Sequence, residues 1–271
     1  MKKSIFTIFL LWCLISAPAL SASDSYIVGI GDYEYYPHQS HSEKGYTGFS
    51  RDVLDMFGQK KEINLKYKIL PLNRVHMEYF TDKTIDFIFP DNSVWDTDKK
   101  NGITVYYSNP VVQYTDGVMV LSENKGKGLR YLKKLGTLRG FTPFDYLNLI
   151  NSGQIQLREN SKFIPLLQQV LLKRIDGAYI EISVARYNLH EKLKTPDALL
   201  FDPDLPHTTD YYYLSSIKHP YIIKKFNDFL HTEQDAVNRL KEKYKVGALN
   251  LEELSSQQIE KTLSDRKQIT E

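Results

Sequence analysis

The sequence has 271 residues, of which 42% are hydrophobic and 25% are charged. These values are ordinary for a folded, water-soluble protein, and the length leaves room for two structural units. The 35 basic residues exceed the 33 acidic ones by only two, and so small a net charge argues against nucleic acid or an anionic membrane as the main partner.

The first 22 residues predict a secretory signal peptide. Lys2 and Lys3 precede an apolar run over residues 5–15, and a proline and several small residues follow it. The run is shorter than the roughly 20 apolar residues that a membrane span needs. We therefore predict cleavage between Ala19 and Ser23, export to the periplasm and a soluble mature chain.

Cleavage would change both the charge and the redox chemistry of the chain. The removed segment carries two lysines and no acidic residue, so the mature chain would have 33 basic and 33 acidic residues. The only cysteine, Cys13, would leave with it, which predicts no disulfide, no thiolate metal ligand and no cysteine nucleophile. Catalytic patterns such as GxSxG and HExxH are absent from the sequence as well.

The first part of the mature chain alternates predicted strands and helices. A short apolar strand begins at Tyr26 and runs out into a loop that is rich in tyrosine and acidic residues. Ser50 is expected to cap the first helix, and Gly58 is placed to end it. Further strands are predicted over 65–70 and 84–90, with a second helix over 73–79. This β-α-β-α-β succession predicts a mostly parallel sheet covered by helices.

A second α/β unit follows a hydrophilic break at residues 123–128. A long strand over 114–121 leads to this break from the first unit. Beyond it, strands are predicted over 135–138, 154–157, 177–180 and 211–217, and helices over 142–150, 163–172, 182–193 and 220–244.

Two loops of the first unit are candidates for one wall of a ligand site, because loops at the carboxyl ends of strands converge on a crevice. Asp32 lies in the loop after the first strand. The loop after the third strand offers hydrogen-bonding groups and a stacking ring: Asp91, Asn92, Ser93 and Trp95. An ordinary surface turn is the alternative for this second loop, since Pro-Asp-Asn-Ser is common turn chemistry. Arg74 either faces the crevice or braces a neighbouring carboxylate.

The second unit offers two further candidates. Thr142 is placed to cap a helix whose free backbone N–H groups would hold a carboxylate or phosphate, with Arg139 as an added grip. An ordinary turn explains that pattern equally well. Glu181 precedes a helix, so it either binds a cationic group or stabilises the helix start through the dipole. His38 and His41 are interpreted as solvated loop histidines rather than metal ligands.

The chain resembles the periplasmic solute-binding proteins of family 3, the amino-acid-binding type with a two-lobed "Venus flytrap" fold. In the first unit the resemblance is carried by the stretches GIGDYEYYP, GYTGFSRDVLDMF, LPLNRV, TIDFIFPDN and YYSNPVVQYTDGVMV. In the second unit it is carried by LGTLRGFTP and IDGAYIEISVARY. It extends from about Tyr26 to Leu251, nearly all of the mature chain.

The resemblance implies roles for residues of the first lobe. Asp32 and Tyr35 match the acidic and aromatic positions of its first loop. Asp91 and Ser93 match a polar turn that in relatives grips the amino and carboxyl groups of the ligand. Lys100, or the lysine before it, stands where an arginine is usual.

In the second lobe the resemblance implies a site for each end of an amino acid. Phe141 and Thr142 match the helix start that receives the carboxylate, and Glu181 matches the acidic residue that holds the α-amino group. The stretches 114–121 and 211–215 resemble the two strands that cross the hinge.

The fold implied by this resemblance is α/β, with two lobes that are each a mostly parallel sheet flanked by helices. Lobe 1 would comprise residues 23–118 and 213–251, and lobe 2 residues 119–212. Residues 252–271 would form a polar C-terminal tail.

The function implied is non-enzymatic and needs no cofactor or metal. The protein would be a monomer that captures a small polar ligand, an amino acid or a related metabolite, and delivers it to an inner-membrane ABC permease. One alternative is a ligand-sensing subunit of a membrane receptor. The other is a dehydratase-like periplasmic enzyme, in which Asp32, Asp91 and Glu181 would supply a general acid and base.

Overall fold

A computed structural model of the protein describes residues 25–42 and 45–247. The predicted signal peptide, Cys13 and the polar tail from residue 252 lie outside the described residues. No helix in the described part of the chain is long and apolar enough to cross a bilayer.

The described residues form a large mixed sheet and a small two-stranded one. The strands, in chain order, are β1 (Ser25–Gly31), β2 (Ser40–Ser42), β3 (Gly45–Thr47), β4 (Asn64–Leu70), β5 (Phe87–Asp91), β6 (Tyr106–Tyr107), β7 (Val112–Leu121), β8 (Lys134–Leu138), β9 (Gln156–Asn160), β10 (Gly177–Glu181), β11 (Leu199–Phe201) and β12 (Thr208–Ser216). The main path of the large sheet runs β4-β1-β5-β12-β7-β10-β8-β9, while β2 and β3 form the small sheet.

The α-helices, again in chain order, are α1 (Phe49–Lys61), α2 (Leu72–His76), α3 (Thr97–Lys100), α4 (Leu147–Asn151), α5 (Phe163–Leu171), α6 (Ile182–Tyr187), α7 (Pro220–Thr232) and α8 (Gln234–Tyr244). Two π-helical segments, Met77–Thr81 and Asn188–Lys192, continue α2 and α6. Short 3-10 turns lie at Ser122–Asn124 and Phe144–Tyr146.

The two halves of the large sheet repeat one topology. Strands β4, β1 and β5 run parallel in the first half, as do β9, β8 and β10 in the second. A long antiparallel strand flanks each trio, β12 beside β5 and β7 beside β10. Because β7 and β12 also pair with each other, they carry the chain between the halves. The predicted α/β fold with two lobes and two crossing strands is confirmed.

The C-terminal helices pack on the first lobe. The ring of Phe57 on α1 lies 4.9 Å from that of Phe226 and 5.5 Å from that of Phe229, both on α7. All three rings are buried, as expected for large aromatic side chains in a core. We therefore assign α7 to lobe 1, and the residue boundaries of the lobes remain predictions.

Two helix ends differ from the sequence prediction. Helix α1 does not end at Gly58 but continues to Lys61, and Glu62 takes the left-handed conformation that closes it. A Cβ atom at Gly58 would lie 2.7 Å from the carbonyl oxygen of Ile63, so glycine is needed there for close approach of the returning chain. Ser50 is not the N-cap, because the helix already begins at Phe49.

The long helix predicted over 220–244 is two helices. They meet at Glu233, whose backbone leaves the helical region. The apolar periodicity continues through this break, and for that reason the sequence pattern alone did not reveal it.

Candidate functional site

A cavity of about 190 Å³ lies between the two lobes. The loops after β1 and β5 and the short helix α2 form one side of it, and the loop after β8 and the end of β10 form the other. Its lining is dominated by aromatic rings: Tyr33, Tyr35, Trp95, Phe141, Phe144, Tyr179 and Tyr212. The ionisable groups on the wall, apart from the tyrosines, are His76, Asp91, Asp96 and Asp116.

Aromatic contacts join the lobes beside the cavity. The ring of Tyr35 lies 5.8 Å from those of Phe141 and Phe163, and Tyr33 also lies 5.8 Å from Phe141. The hydroxyl of Tyr35 is 3.1 Å from that of Tyr212 on the crossing strand β12. Tyr35 is buried as a result, and burial raises its pKa well above the ordinary value, so the phenol is neutral.

Asp91 and Lys100 form a buried ion pair at the end of β5. The Lys100 ammonium donates to Oδ1 of Asp91 at 3.0 Å and to the carbonyl oxygen of Asn92 at 2.6 Å. Oδ2 of Asp91 is buried and has no hydrogen-bond partner among the described residues. Asp91 and not Lys100 is among the residues that line the cavity.

The turn after β5 is held by Asn92. Its side-chain oxygen accepts from the Val94 amide at 3.0 Å, and its amide nitrogen donates to Asp210 and to the carbonyl oxygen of Tyr211. Ser93 is exposed and does not line the cavity. Asn92 and Ser93 therefore act as turn residues that tie the loop to β12, whereas Asp91 and Trp95 of the same segment line the cavity.

Glu181 caps α6 and contacts the opposite lobe. Its Oε2 accepts from the Val184 amide at 2.9 Å and from the Ser183 hydroxyl at 2.5 Å, and lies 3.3 Å from Nε2 of His38. Burial opposes ionisation of this carboxyl, but His38 and the two donors outweigh it and lower the pKa of Glu181. Glu181 is not among the residues that line the cavity.

The expectation that His38 is a solvated loop residue is wrong, since its side chain is fully buried. The loop folds back on the start of α1, where the Ser50 amide donates to the His38 carbonyl oxygen at 2.9 Å. The imidazole then packs between the lobes, 5.0 Å from the ring of Tyr212.

Three predicted residues lie away from the cavity wall. Asp32 is half-exposed and pairs with His41 at 3.0 Å. The Nε of Arg74 lies 3.0 Å from the carboxylate of Glu78, which is the bracing role that the sequence left open. The side chain of Arg139 is exposed. Ligand contact by these residues remains a prediction.

Phe141 and Thr142 line the cavity, but the α-helix predicted to start at Thr142 does not start there. The backbone of Pro143 has ψ of 79°, which is not helical, and only a 3-10 turn follows it. The α-helix begins at Leu147. Thr142 therefore does not cap an α-helix.

Asp116 was not predicted from the sequence, but it lies on the crossing strand β7 and lines the cavity. Within the described residues its side chain has no hydrogen bond or ion pair. Burial raises its pKa well above the ordinary value, and the carboxylates of Glu181 and Asp145 raise it further. A carboxylate in the middle of the apolar strand VQYTDGVMVL was the signal that could have revealed it.

His76 was also missed. Its Nε2 lies 3.5 Å from Asp96, its Nδ1 is buried without a partner, and burial lowers its pKa, so the imidazole is neutral. Among the described residues, no group of three or more His, Cys, Asp or Glu side chains is arranged to hold a metal ion.

Several solved structures share this architecture. A histidine kinase sensor domain with similarity to periplasmic binding proteins aligns with a TM-score of 0.65 at 12% identity, over 84% of this chain and 99% of its own. An arginine third transport system periplasmic binding protein from Legionella pneumophila aligns with a TM-score of 0.64 at 15% identity, over 82% and 100%. The chain has the type II periplasmic binding protein fold.

A third structure with the type II fold is an ancestral amino acid-binding protein described as a precursor of cyclohexadienyl dehydratase. It aligns with a TM-score of 0.61 at 17% identity, over 81% of this chain and 94% of its own. No family model matches the sequence, and no curated protein matches it. At these identities the likeness concerns the fold, so function has to be argued from the site.

Proposed function

We propose that this protein is an exported, non-enzymatic solute-binding protein. It captures a small polar ligand, an amino acid or a related metabolite, in the cavity between its lobes. The observation that carries this proposal is the cavity itself, which has walls from both lobes and from both crossing strands. Ligands of open α/β sheets bind where strand-end loops converge, and this cavity occupies such a place.

The contacts between the lobes suit a hinge that opens and closes. They include the His38–Glu181 pair and the rings of Tyr36 and Tyr187, whose centroids are 4.3 Å apart. Side-chain contacts of this kind form and break without unfolding of either core, and a ligand that contacts both walls would favour the closed arrangement.

The three carboxylates that the enzyme alternative would use do not lie together on the cavity wall. Asp91 lines the cavity, but Asp32 and Glu181 do not. Asp32 is paired with His41 and Glu181 with His38, so each is held by a partner outside the cavity lining. This distribution favours binding over turnover.

The partner that receives the closed form is either a transporter or a receptor. The similarity to a transport-system binding protein favours delivery to an inner-membrane ABC permease, and the similarity to a kinase sensor domain favours ligand sensing. Loss of ligand uptake in a strain without this gene supports transport. Normal uptake with loss of a ligand-dependent transcriptional response supports sensing.

Closure can be measured directly because the mature chain is predicted to have no cysteine. Lys66 on β4 and Glu159 on β9 are exposed, and these strands form the two outer ends of the large sheet. Spin labels at Lys66→Cys and Glu159→Cys would report the distance between the lobes. We expect ligand to shorten and narrow the distance distribution, whereas an unchanged distribution with bound ligand would overturn the proposal.

The ligand itself can be sought by thermal unfolding with amino acids, polyamines, opines and organic acids. A ligand at one hundred times its dissociation constant adds about 2.7 kcal/mol to the free energy of unfolding, which is a readily measured shift. Turnover of a stabilising compound by the purified protein would contradict the non-enzymatic assignment.

A further inference from the structure

The charges on the cavity wall leave one carboxylate without a counter-ion. Asp91 is paired with Lys100, and Asp96 with Lys99. The imidazole of His76 is neutral. Asp116 has no cationic partner within the described residues, and the charged side chains that act on it, Glu181 and Asp145, are both negative. The cavity therefore carries an excess of one negative charge when Asp116 is ionised.

A second observation points to a nitrogen donor. Oδ2 of Asp91 and Nδ1 of His76 are both buried without a hydrogen-bond partner in the described part of the chain, and both residues line the cavity. Asp91 is 6% exposed. Buried acceptors are rarely left unpaired, because the loss of a hydrogen bond to water is not recovered. A ligand with N–H groups would satisfy the free carboxylate oxygen.

The rest of the wall suits a cation with an apolar body. Aromatic rings from both lobes and from β12 line the cavity, among them Tyr35, Phe141 and Tyr212. The face of an aromatic ring attracts a cation through its quadrupole. Rings on several sides of one carboxylate form a suitable enclosure for an organic ammonium group.

Among the described residues that line the cavity, none is a lysine or arginine that could pair with a carboxylate. Lys100 is engaged by Asp91, and Arg74 by Glu78. Arg139 is not among the lining residues, and the backbone at Thr142 is not an α-helix start. With the ammonium of an amino acid paired to Asp116, its carboxylate would be buried without a cationic partner, and burial of such an unpaired charge is strongly unfavourable.

We infer that the cavity binds a small organic monocation, an amine without a carboxylate group, and that Asp116 is its counter-ion. This inference rests on the proposed function and specifies its ligand class. In the bound state the ammonium lies against the Asp116 carboxylate, and the apolar body packs on the rings.

The test compares matched compounds that differ only in the carboxylate: phenethylamine with L-phenylalanine, and isoamylamine with L-leucine. Each is titrated into wild-type protein, Asp116→Asn and Asp228→Asn, with thermal unfolding and calorimetry as readouts. Asp228 is an exposed carboxylate on α7 that does not line the cavity, and it serves as the matched control.

We expect the amines to stabilise the wild type and Asp228→Asn, and to bind Asp116→Asn at least tenfold more weakly. The apo form of Asp116→Asn should unfold cooperatively at a temperature equal to or above that of the wild type, which shows that it is folded. Equal amine affinity in wild type and Asp116→Asn overturns the inference.

The failure of the inference and that of the proposed function give different results. Stabilisation by the amino acids but not by the amines overturns the monocation inference and leaves the solute-binding function in place. If no amine, amino acid, polyamine or organic acid moves the unfolding transition or the distance between the lobes, both are overturned.

Discussion

Nε2 of His38 lies 3.3 Å from Oε2 of Glu181, across the boundary between the two lobes. Both side chains are buried, and Ser183 contacts both of them. A buried ion pair contributes little to the net stability of a fold, but removal of one partner leaves the other buried without compensation, which is destabilising. The contact therefore bears on the equilibrium between open and closed lobes.

We predict that Glu181→Gln shifts the apo protein towards the open arrangement. The substitution removes the charge that His38 faces and weakens the cap of α6, so we expect a loss of about 1–3 kcal/mol in the free energy of closure. The spin-label distance between Lys66→Cys and Glu159→Cys measures it. The control is Glu62→Gln at an exposed glutamate that carries no spin label. Equal distances between the lobes in Glu181→Gln and Glu62→Gln would contradict the prediction.

The pH dependence of this contact has a defined sign. Because the pKa of Glu181 is lowered in the folded protein, its contribution to stability is fully present above the ordinary glutamate pKa of about 4.5. It falls as the pH decreases through the folded-state pKa. The difference in unfolding free energy between wild type and Glu181→Gln should therefore shrink below about pH 4.5, as measured by urea unfolding.

We predict the opposite pH dependence for Asp116. Its raised pKa means that its contribution to the stability of the apo protein is present below the ordinary aspartate pKa and is lost as the pH rises through the folded-state pKa. Asp116→Asn removes this loss, so the variant should exceed the wild type at pH 7 by about 1–3 kcal/mol in unfolding free energy.

The pH dependence due to Asp116 must be separated from that of Glu181 and of other ionisable groups near Asp116. They are the carboxylates of Glu181 and Asp145 and the phenols of four tyrosines: Tyr35, Tyr114, Tyr179 and Tyr212. The difference between wild type and Asp116→Asn, measured by urea unfolding from pH 4 to 8, isolates Asp116. A difference that does not grow with pH would contradict the prediction.

Trp95 is predicted to report ligand binding by its fluorescence. It lines the cavity, 5.8 Å from the rings of Tyr114 and Tyr212, and the only other tryptophan, Trp12, lies in the predicted signal peptide. A bound ligand displaces water from the indole and shifts its emission. Trp95→Phe should abolish the fluorescence change and retain the thermal shift, and a signal that survives in this variant would place its source elsewhere.

Gly58→Ala is predicted to destabilise the protein although alanine favours helices. The new methyl group would lie 2.7 Å from the carbonyl oxygen of Ile63, so the chain after α1 has to move. We expect a loss of about 1–3 kcal/mol, larger than the roughly 1 kcal/mol that alanine otherwise gains over glycine in a helix. Exposed Gln59→Ala is the control, and increased stability of Gly58→Ala in urea unfolding would show that the contact relaxes freely.

The sequence by itself determined the architecture of this protein. The alternation of apolar strands and amphipathic helices on either side of the break at 123–128 predicted two α/β units, and the family resemblance implied the two crossing strands. These patterns are local, since the period of two or 3.6 residues reflects which side of each element faces the core. The strand-end loops that contain Tyr35, Asp91 and Phe141 could be placed near a crevice for the same reason.

Only the tertiary structure decided which of the candidate side chains line the cavity. Glu181 turned towards His38 and its own helix, and Lys100 towards Asp91, because partners that are far apart in the sequence compete for each charged group. The sequence shows Asp116 as a carboxylate within an apolar strand, but only the fold shows that no cation among the described residues pairs with it. The balance of charge in a cavity is a property of all its walls together, and those walls are assembled from segments that the sequence keeps apart.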